Sequence, residues 1–77
     1  MTDVVFPVLS QEKQEATGLL STWYVTDGQQ VAAETLLAEV QMDKVDAEVV
    51  APVAGVIHLL VAEESEVSQG TVIARID

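Results

Sequence analysis

The fold of this chain is decided by one stretch, LLAEVQ-MDKV-DAEVVA, which spans residues 36–51. Residues 36–41 are mainly apolar and favour a strand. Residues 45–51 alternate, with valine and alanine on one face and Asp46, Glu48 and Val50 on the other, which is typical of a half-buried strand. The step Met42–Val45 therefore predicts a tight turn that lifts Lys44, one of two lysines in the chain, away from the body.

Further strands separated by turn signals are predicted on both sides of this stretch. On the N-terminal side they span residues 4–9 and 18–25, with a short strand at Val31, and Pro7 either stops the first strand or confines it to a sheet edge. On the C-terminal side they span residues 55–61 and 71–76, with a short strand at Val67. Residues 10–17 are polar and predict an exposed loop, with a single helical turn as the alternative. We therefore expect an all-β domain.

The two halves of the chain resemble each other at a nearly fixed spacing. Gly18-Leu19-Leu20 matches Gly55-Val56-Ile57 at a spacing of 37 residues. Five more pairs are 36 residues apart: Val25 and Val61, Val31 and Val67, Leu37 and Ile73, Ala38 and Ala74, Val40 and Ile76. Self-similarity at a fixed offset indicates one structural unit used twice.

A four-stranded unit of this size cannot bury its own apolar face, so two copies should pack together. We expect a flattened eight-stranded β-sandwich or barrel, a barrel-sandwich hybrid whose four-stranded halves are related by a pseudo-two-fold axis. The symmetry places Lys44 at one tip and the chain termini near the opposite one.

Composition narrows the function classes. The chain has 77 residues, which predicts one domain over residues 1–77, and it contains no cysteine, so no disulfide or thiolate metal site can form. Its formal net charge is −10, with 13 acidic residues against Lys13, Lys44 and Arg75, which makes nucleic acids and anionic membranes poor partners. His58 has no second candidate ligand nearby in sequence, and no nucleophile with a neighbouring base is evident. We expect a monomeric domain that is not itself an enzyme.

The turn residues carry a family resemblance. Asp43-Lys44-Val45 stands at the predicted tip, Gly28 lies sixteen residues before the lysine, and Gly55 lies eleven residues after it. With the internal repeat, these features make residues 4–76 resemble a lipoyl domain of the 2-oxo acid dehydrogenase complexes, the carrier segment of their dihydrolipoyl acyltransferase component.

The resemblance implies that Lys44 carries covalent lipoic acid, attached by a lipoate ligase or lipoyl transferase. The arm would carry acyl groups from a thiamin-diphosphate 2-oxo acid dehydrogenase to the acyltransferase catalytic domain and coenzyme A, and dihydrolipoyl dehydrogenase would reoxidise it. Location in the cytoplasm of a prokaryote is implied, with the mitochondrial matrix as the alternative.

Residues around the lysine would be read by the ligase and the partner enzymes. These recognition residues are Gln41, Met42, Asp43, Val45, Gly28 and Gly55. Gln41 and Met42 depart from the family, which often has an acid and a small hydroxyl residue at these two places. A biotin carrier domain is one alternative, although that family resembles Met-Lys-Met at the tip. An unmodified sandwich serving as an adaptor module is the other.

Overall fold

The structure, a computed structural model, describes residues 1–9 and 16–77, and every regular element within them is a β-strand. The strands in chain order are β1 Thr2–Val5, β2 Thr17–Trp23, β3 Gln30–Val31, β4 Leu36–Met42, β5 Val45–Val50, β6 Gly55–Leu59, β7 Ser65–Ser68 and β8 Val72–Ile76. No helix in this part of the chain could cross a membrane. The predicted all-β fold is confirmed.

The eight strands form two four-stranded antiparallel sheets, with the orders β1-β8-β6-β3 and β5-β4-β2-β7. Each strand of the first sheet has a counterpart four places earlier or later in the chain: β1 corresponds to β5, β8 to β4, β6 to β2 and β3 to β7. These counterparts stand in the same order in the second sheet. The predicted two-fold repeat is therefore present in the topology. It also explains the packing, because each sheet supplies one face of a single core.

The backbone conformation of the turns also repeats between the two halves of the chain. Gly28 and Glu64, which are 36 residues apart, have φ angles of 86° and 66°. Glu34 and Gly70, also 36 apart, have φ angles of 70° and 82°. Each half therefore needs a left-handed residue at the same two turns, and each turn is built once with glycine and once with glutamate.

The glycines that begin the matched segments occupy equivalent crowded sites. A Cβ atom on Gly18 would lie 2.6 Å from the carbonyl oxygen of Gln41, and a Cβ atom on Gly55 would collide with that of Asp77. Gln41 and Asp77 are themselves 36 residues apart. Both halves thus require close backbone approach at this point.

The core lies between the sheets and follows the repeat. The largest side chains that are almost completely buried are Phe6, Leu20, Leu37, Ile57, Ile73, Ile76 and Val40. Five of the matched pairs predicted from sequence are buried in both copies: Leu20 with Ile57, Val31 with Val67, Leu37 with Ile73, Ala38 with Ala74, and Val40 with Ile76. These repeated apolar positions are therefore the ones that face the opposite sheet, whereas the matched Leu19 and Val56 are exposed.

Several strand bounds differ from those predicted. The first strand ends at Val5 instead of continuing to residue 9, because Pro7 has no N–H to donate. It does lie at a sheet edge, as expected. The strand predicted over residues 55–61 ends at Leu59, and the short strand predicted at Val67 spans Ser65–Ser68. The loop predicted over residues 10–17 lies mostly outside the described residues, and Thr17 belongs to β2.

Strand direction places the Lys44 turn and the termini at opposite ends. β5 leaves the turn at Val45 and runs to Val50. Five residues later the chain reaches Gly55, which lies against the backbone of Asp77. Thr2 pairs with Ile76, so both termini lie at this far end. The predicted separation of Lys44 from the termini is confirmed.

Alanine at Gly28 and at Gly55 should destabilise the fold by different amounts. Gly28 has a φ of 86° but open space around it, so Gly28→Ala should lower the free energy of unfolding by about 1 kcal/mol through backbone strain alone. Gly55→Ala should lower it by about 3 kcal/mol, because the backbone of Asp77 blocks the new methyl group. Urea denaturation of both variants measures the difference, and equal losses would contradict the close approach at Gly55.

Candidate functional site

The turn that carries Lys44 is the tightest connection between two long strands of the chain. β4 and β5 pair from Leu36 with Val50 to Met42 with Val45, with one shift of register between Leu36 and Ala38, so Asp43 and Lys44 alone form the loop. Asp43 has a φ of 53°, a left-handed conformation that aspartate accepts more readily than most residues. The ladder that extends to its base holds the turn rigidly.

The Lys44 side chain projects into solvent. Lys44 is exposed, and within residues 1–9 and 16–77 no hydrogen bond or ion pair engages its amine. A two-residue turn has no inner face on which the side chain could pack. The amine is consequently accessible from many directions while its Cα is fixed, a combination that suits covalent modification by an external enzyme.

Residues beside Lys44 have different exposures. Met42 is 4% exposed and belongs to the core, whereas Val45 is 48% exposed. Gln41 and Asp43 are exposed. Of the recognition residues predicted beside the lysine, Gln41, Asp43 and Val45 are accessible to a partner. The buried Met42 instead anchors the base of the turn in the core.

The structure does not bring Gly28 and Gly55 together with Lys44. The Gly28 N–H donates to the carbonyl oxygen of Ile57 at 2.7 Å, and Gly55 lies against Asp77 at the far end of the sandwich. Their sequence spacing from the lysine therefore reflects the fold of the domain and not a shared site. In this structure they shape the body that presents the turn.

Acidic side chains cover the outer surface of the sheet behind the turn. Glu39 of β4 stands directly opposite Glu48 of β5, and Gln41 stands opposite Asp46. The Tyr24 hydroxyl donates to Glu39 at 2.9 Å, and this hydrogen bond is the main reason that the pKa of Tyr24 is raised above its ordinary value. Like charges facing each other across strands are unfavourable for the isolated fold, so this surface favours positively charged partners.

An open groove of about 430 Å³ adjoins the turn. Leu19, 37% exposed, lies between its cross-strand neighbours Gln41 and Glu66. Asp43 and Glu64 also line the groove. The sequence-based prediction missed this groove, since Leu19 belongs to β2 and the glutamates lie more than forty residues further along the chain.

His58 and Trp23 make hydrogen bonds away from the turn. His58 is half-buried, and its Nε2 lies 2.9 Å from Oδ2 of Asp77 at the far end of the sandwich. No group of three or more His, Asp or Glu side chains in the described residues could hold a metal ion. Trp23 is half-buried and donates from Nε1 to the carbonyl oxygen of Val61, while the next residue, Tyr24, is exposed.

The described chain thus presents an exposed lysine on a two-residue turn of a sandwich built from two repeated halves. The family model described as "Biotin-requiring enzyme", which covers biotin and lipoyl attachment domains, matches residues 2–76. The chain belongs to this biotin–lipoyl family. As a carrier domain it is non-catalytic.

Its relatives point to the lipoyl branch. The chain is 41% identical over 76 residues to the dihydrolipoyllysine-residue acetyltransferase component of the pyruvate dehydrogenase complex of Corynebacterium glutamicum. It is 40% identical over 78 residues to the succinyltransferase component of the 2-oxoglutarate dehydrogenase complex of Cupriavidus necator. The matches cover 97% and 100% of this chain but only 11% and 18% of those relatives.

A solved structure agrees with these relatives. The lipoyl domain of the 2-oxoglutarate dehydrogenase complex of Azotobacter vinelandii superposes with a TM-score of 0.80 at 27% identity. The superposition covers 100% of this chain and 96% of that one. The expected barrel-sandwich hybrid is thus confirmed over the whole length of a lipoyl domain.

Alanine substitutions of Lys44 and Met42 should differ greatly in their effect on stability. Lys44→Ala should change the free energy of unfolding by less than about 0.5 kcal/mol, because the side chain is exposed to solvent. Met42→Ala should lower it by about 2–4 kcal/mol, because it empties a buried site. Urea denaturation tests both variants, and a large loss in Lys44→Ala would mean that the lysine is structural.

Proposed function

We propose that this chain is the lipoyl carrier domain of a 2-oxo acid dehydrogenase acyltransferase and that Lys44 is its lipoyl-lysine. The observation that carries the proposal is the position of Lys44 on a two-residue turn, exposed and remote from both termini. The relatives and the matching solved structure, all parts of 2-oxo acid dehydrogenase complexes, support it.

The residues of the turn fit a covalent lipoyl group. Amide formation requires an accessible amine, and Lys44 offers one that no described carboxylate pairs with. The bound group would supply a dithiolane that accepts and releases acyl groups, while the protein supplies tethering and presentation. Acylation removes the positive charge of the amine and takes the formal charge from −10 to −11.

The fold alone does not separate lipoate from biotin, because the family contains both kinds of carrier. Asp43 and Val45 flank the lysine where biotin carriers resemble Met-Lys-Met, and Met42 stands one place too early and is buried. A ligase approaching the turn therefore meets a carboxylate and a branched apolar side chain. This contrast favours lipoate.

The partners that we propose follow from the carrier role. A lipoate ligase or lipoyl transferase would modify Lys44. A thiamin-diphosphate dehydrogenase, an acyltransferase domain and dihydrolipoyl dehydrogenase would then use the arm in turn. The exposed Gln41, Asp43 and Val45 are the residues that these enzymes would touch beside the lysine. The bacterial relatives favour the cytoplasm of a prokaryote as the location.

Intact mass spectrometry tests the modification. After incubation with lipoate ligase, lipoate and ATP, the mass should rise by one lipoyl group, and peptide mapping should place it on Lys44. Lys44→Arg should remain unmodified while Lys13→Arg is modified fully. Parallel incubation with biotin protein ligase and biotin should give no product. Modification of Lys13, or biotin in place of lipoate, would overturn the assignment.

Reductive acylation tests the carrier role. The lipoylated domain should be acylated by the thiamin-dependent dehydrogenase of a pyruvate or a 2-oxoglutarate complex in the presence of its 2-oxo acid. Lys44→Ala should abolish acylation without loss of fold, since the amine is the attachment point and contributes no packing. A lipoylated domain that neither dehydrogenase acylates would contradict the proposed role.

A further inference from the structure

Two segments carry the chain from one sheet to the other at equivalent places in the two halves. Residues 23–27 leave β2 and lead toward β3, and residues 59–63 leave β6 and lead toward β7. The two segments are 36 residues apart and contain five residues each. Contacts between them therefore join the two halves where the chain changes sheet.

Each of these segments ends in an acid that accepts a hydrogen bond from the first residue of the other segment. Oδ1 of Asp27 accepts from the Leu59 N–H, and Oε1 of Glu63 accepts from the Trp23 N–H, both at 2.9 Å. Because each segment begins with a donor and ends with an acceptor, the two hydrogen bonds close residues 23–27 and 59–63 into a ring. We call it the crossing ring.

The left-handed residue after each acid holds that acid beside the strand it bonds. The Gly28 N–H donates to the carbonyl oxygen of Ile57, and the Glu64 N–H donates to that of Leu20, both at 2.7 Å. Gly28 and Glu64 have the equivalent φ angles of 86° and 66°. An acid followed by a left-handed residue is thus one structural unit, which the fold uses twice.

A third hydrogen bond crosses the ring and ties it to the core. Nε1 of Trp23 donates to the carbonyl oxygen of Val61 at 3.1 Å. Val25, the counterpart of Val61, is buried, and Val61 and Trp23 pack against the same core cluster. The ring is therefore fixed on its inner side, while both of its acids face solvent.

We infer that the crossing ring is a conformational lock, which makes the two sheet crossings open as one unit. In a closed ring, each hydrogen bond keeps the partners of the other close together. Loss of one acceptor should therefore weaken the remaining hydrogen bond as well as remove its own. Asp27 and Glu63 are by this inference structural acids in spite of their exposure, and the lock is independent of the modification of Lys44.

Amide hydrogen exchange of the unmodified domain, followed by NMR, tests the lock. The informative amide is the one whose own acceptor is unchanged. Asp27→Ala should accelerate exchange of the Trp23 amide roughly five-fold, and Glu63→Ala should do the same for the Leu59 amide, because opening of the ring then breaks one hydrogen bond fewer.

The chain offers a reference amide and matched control variants. The Phe6 N–H donates to the carbonyl oxygen of Thr71 outside the ring, so its exchange should change less than about two-fold. Asp46 is an exposed acid of β5, and Asp46→Ala should leave the ring amides unchanged. Asp27→Asn keeps a side-chain oxygen and should restore most of the protection of the Trp23 amide.

Three outcomes would overturn the lock. Unchanged exchange of the Trp23 amide in Asp27→Ala would show that the two hydrogen bonds act separately. Equal acceleration of the Trp23 and Phe6 amides would show that the acid only adds to the stability of the whole domain. An Asp27→Asn variant with exchange as fast as that of Asp27→Ala would show that the accepted hydrogen bond is not what holds the ring.

Discussion

Close contact between a glycine and the end of a neighbouring strand is the constraint on which this structure depends. In one half Gly18 lies against the carbonyl oxygen of Gln41, and in the other Gly55 lies against that of Asp77. A side chain at either glycine would push the strands apart. In the first half, the strand held in this way continues directly into Met42 and the Lys44 turn, so the contact that closes the sandwich also fixes the base of this turn.

Much of the fold could be predicted from sequence because its signals are local or periodic. The alternation of residues 45–51 and the near-constant spacing of matched apolar residues both survive in the structure as strand faces and buried pairs. Strand ends were predicted less well. Pro7 was recognised as a breaker, but the strand before it begins at Thr2, where the pairing with β8 rather than local composition decides the boundary.

The candidate site, like the fold, could be predicted from sequence only in part. Lys44 could be recognised because it stands in a turn whose flanking residues are contiguous with it. Gly28 and Gly55 were selected by their spacing from the lysine, and they lie at the far end, since constant spacing reflects a shared architecture as readily as a shared site. The groove could not be predicted, because Leu19, Gln41 and Glu66 become neighbours only through the pairing of β2 with both β4 and β7.

The distance between Lys44 and the termini has a mechanical consequence. The longest dimension of the domain is 34 Å, against 20 Å and 18 Å for the other two. Polypeptide attached at either terminus would leave the body at one end, and a group on Lys44 would leave it at the other. The sandwich would thus act as a stiff spacer in series with any tether joined to a terminus. The distance between such a tether and the Lys44 amine would always include the length of the domain. A more flexible tether would not shorten that part of the distance.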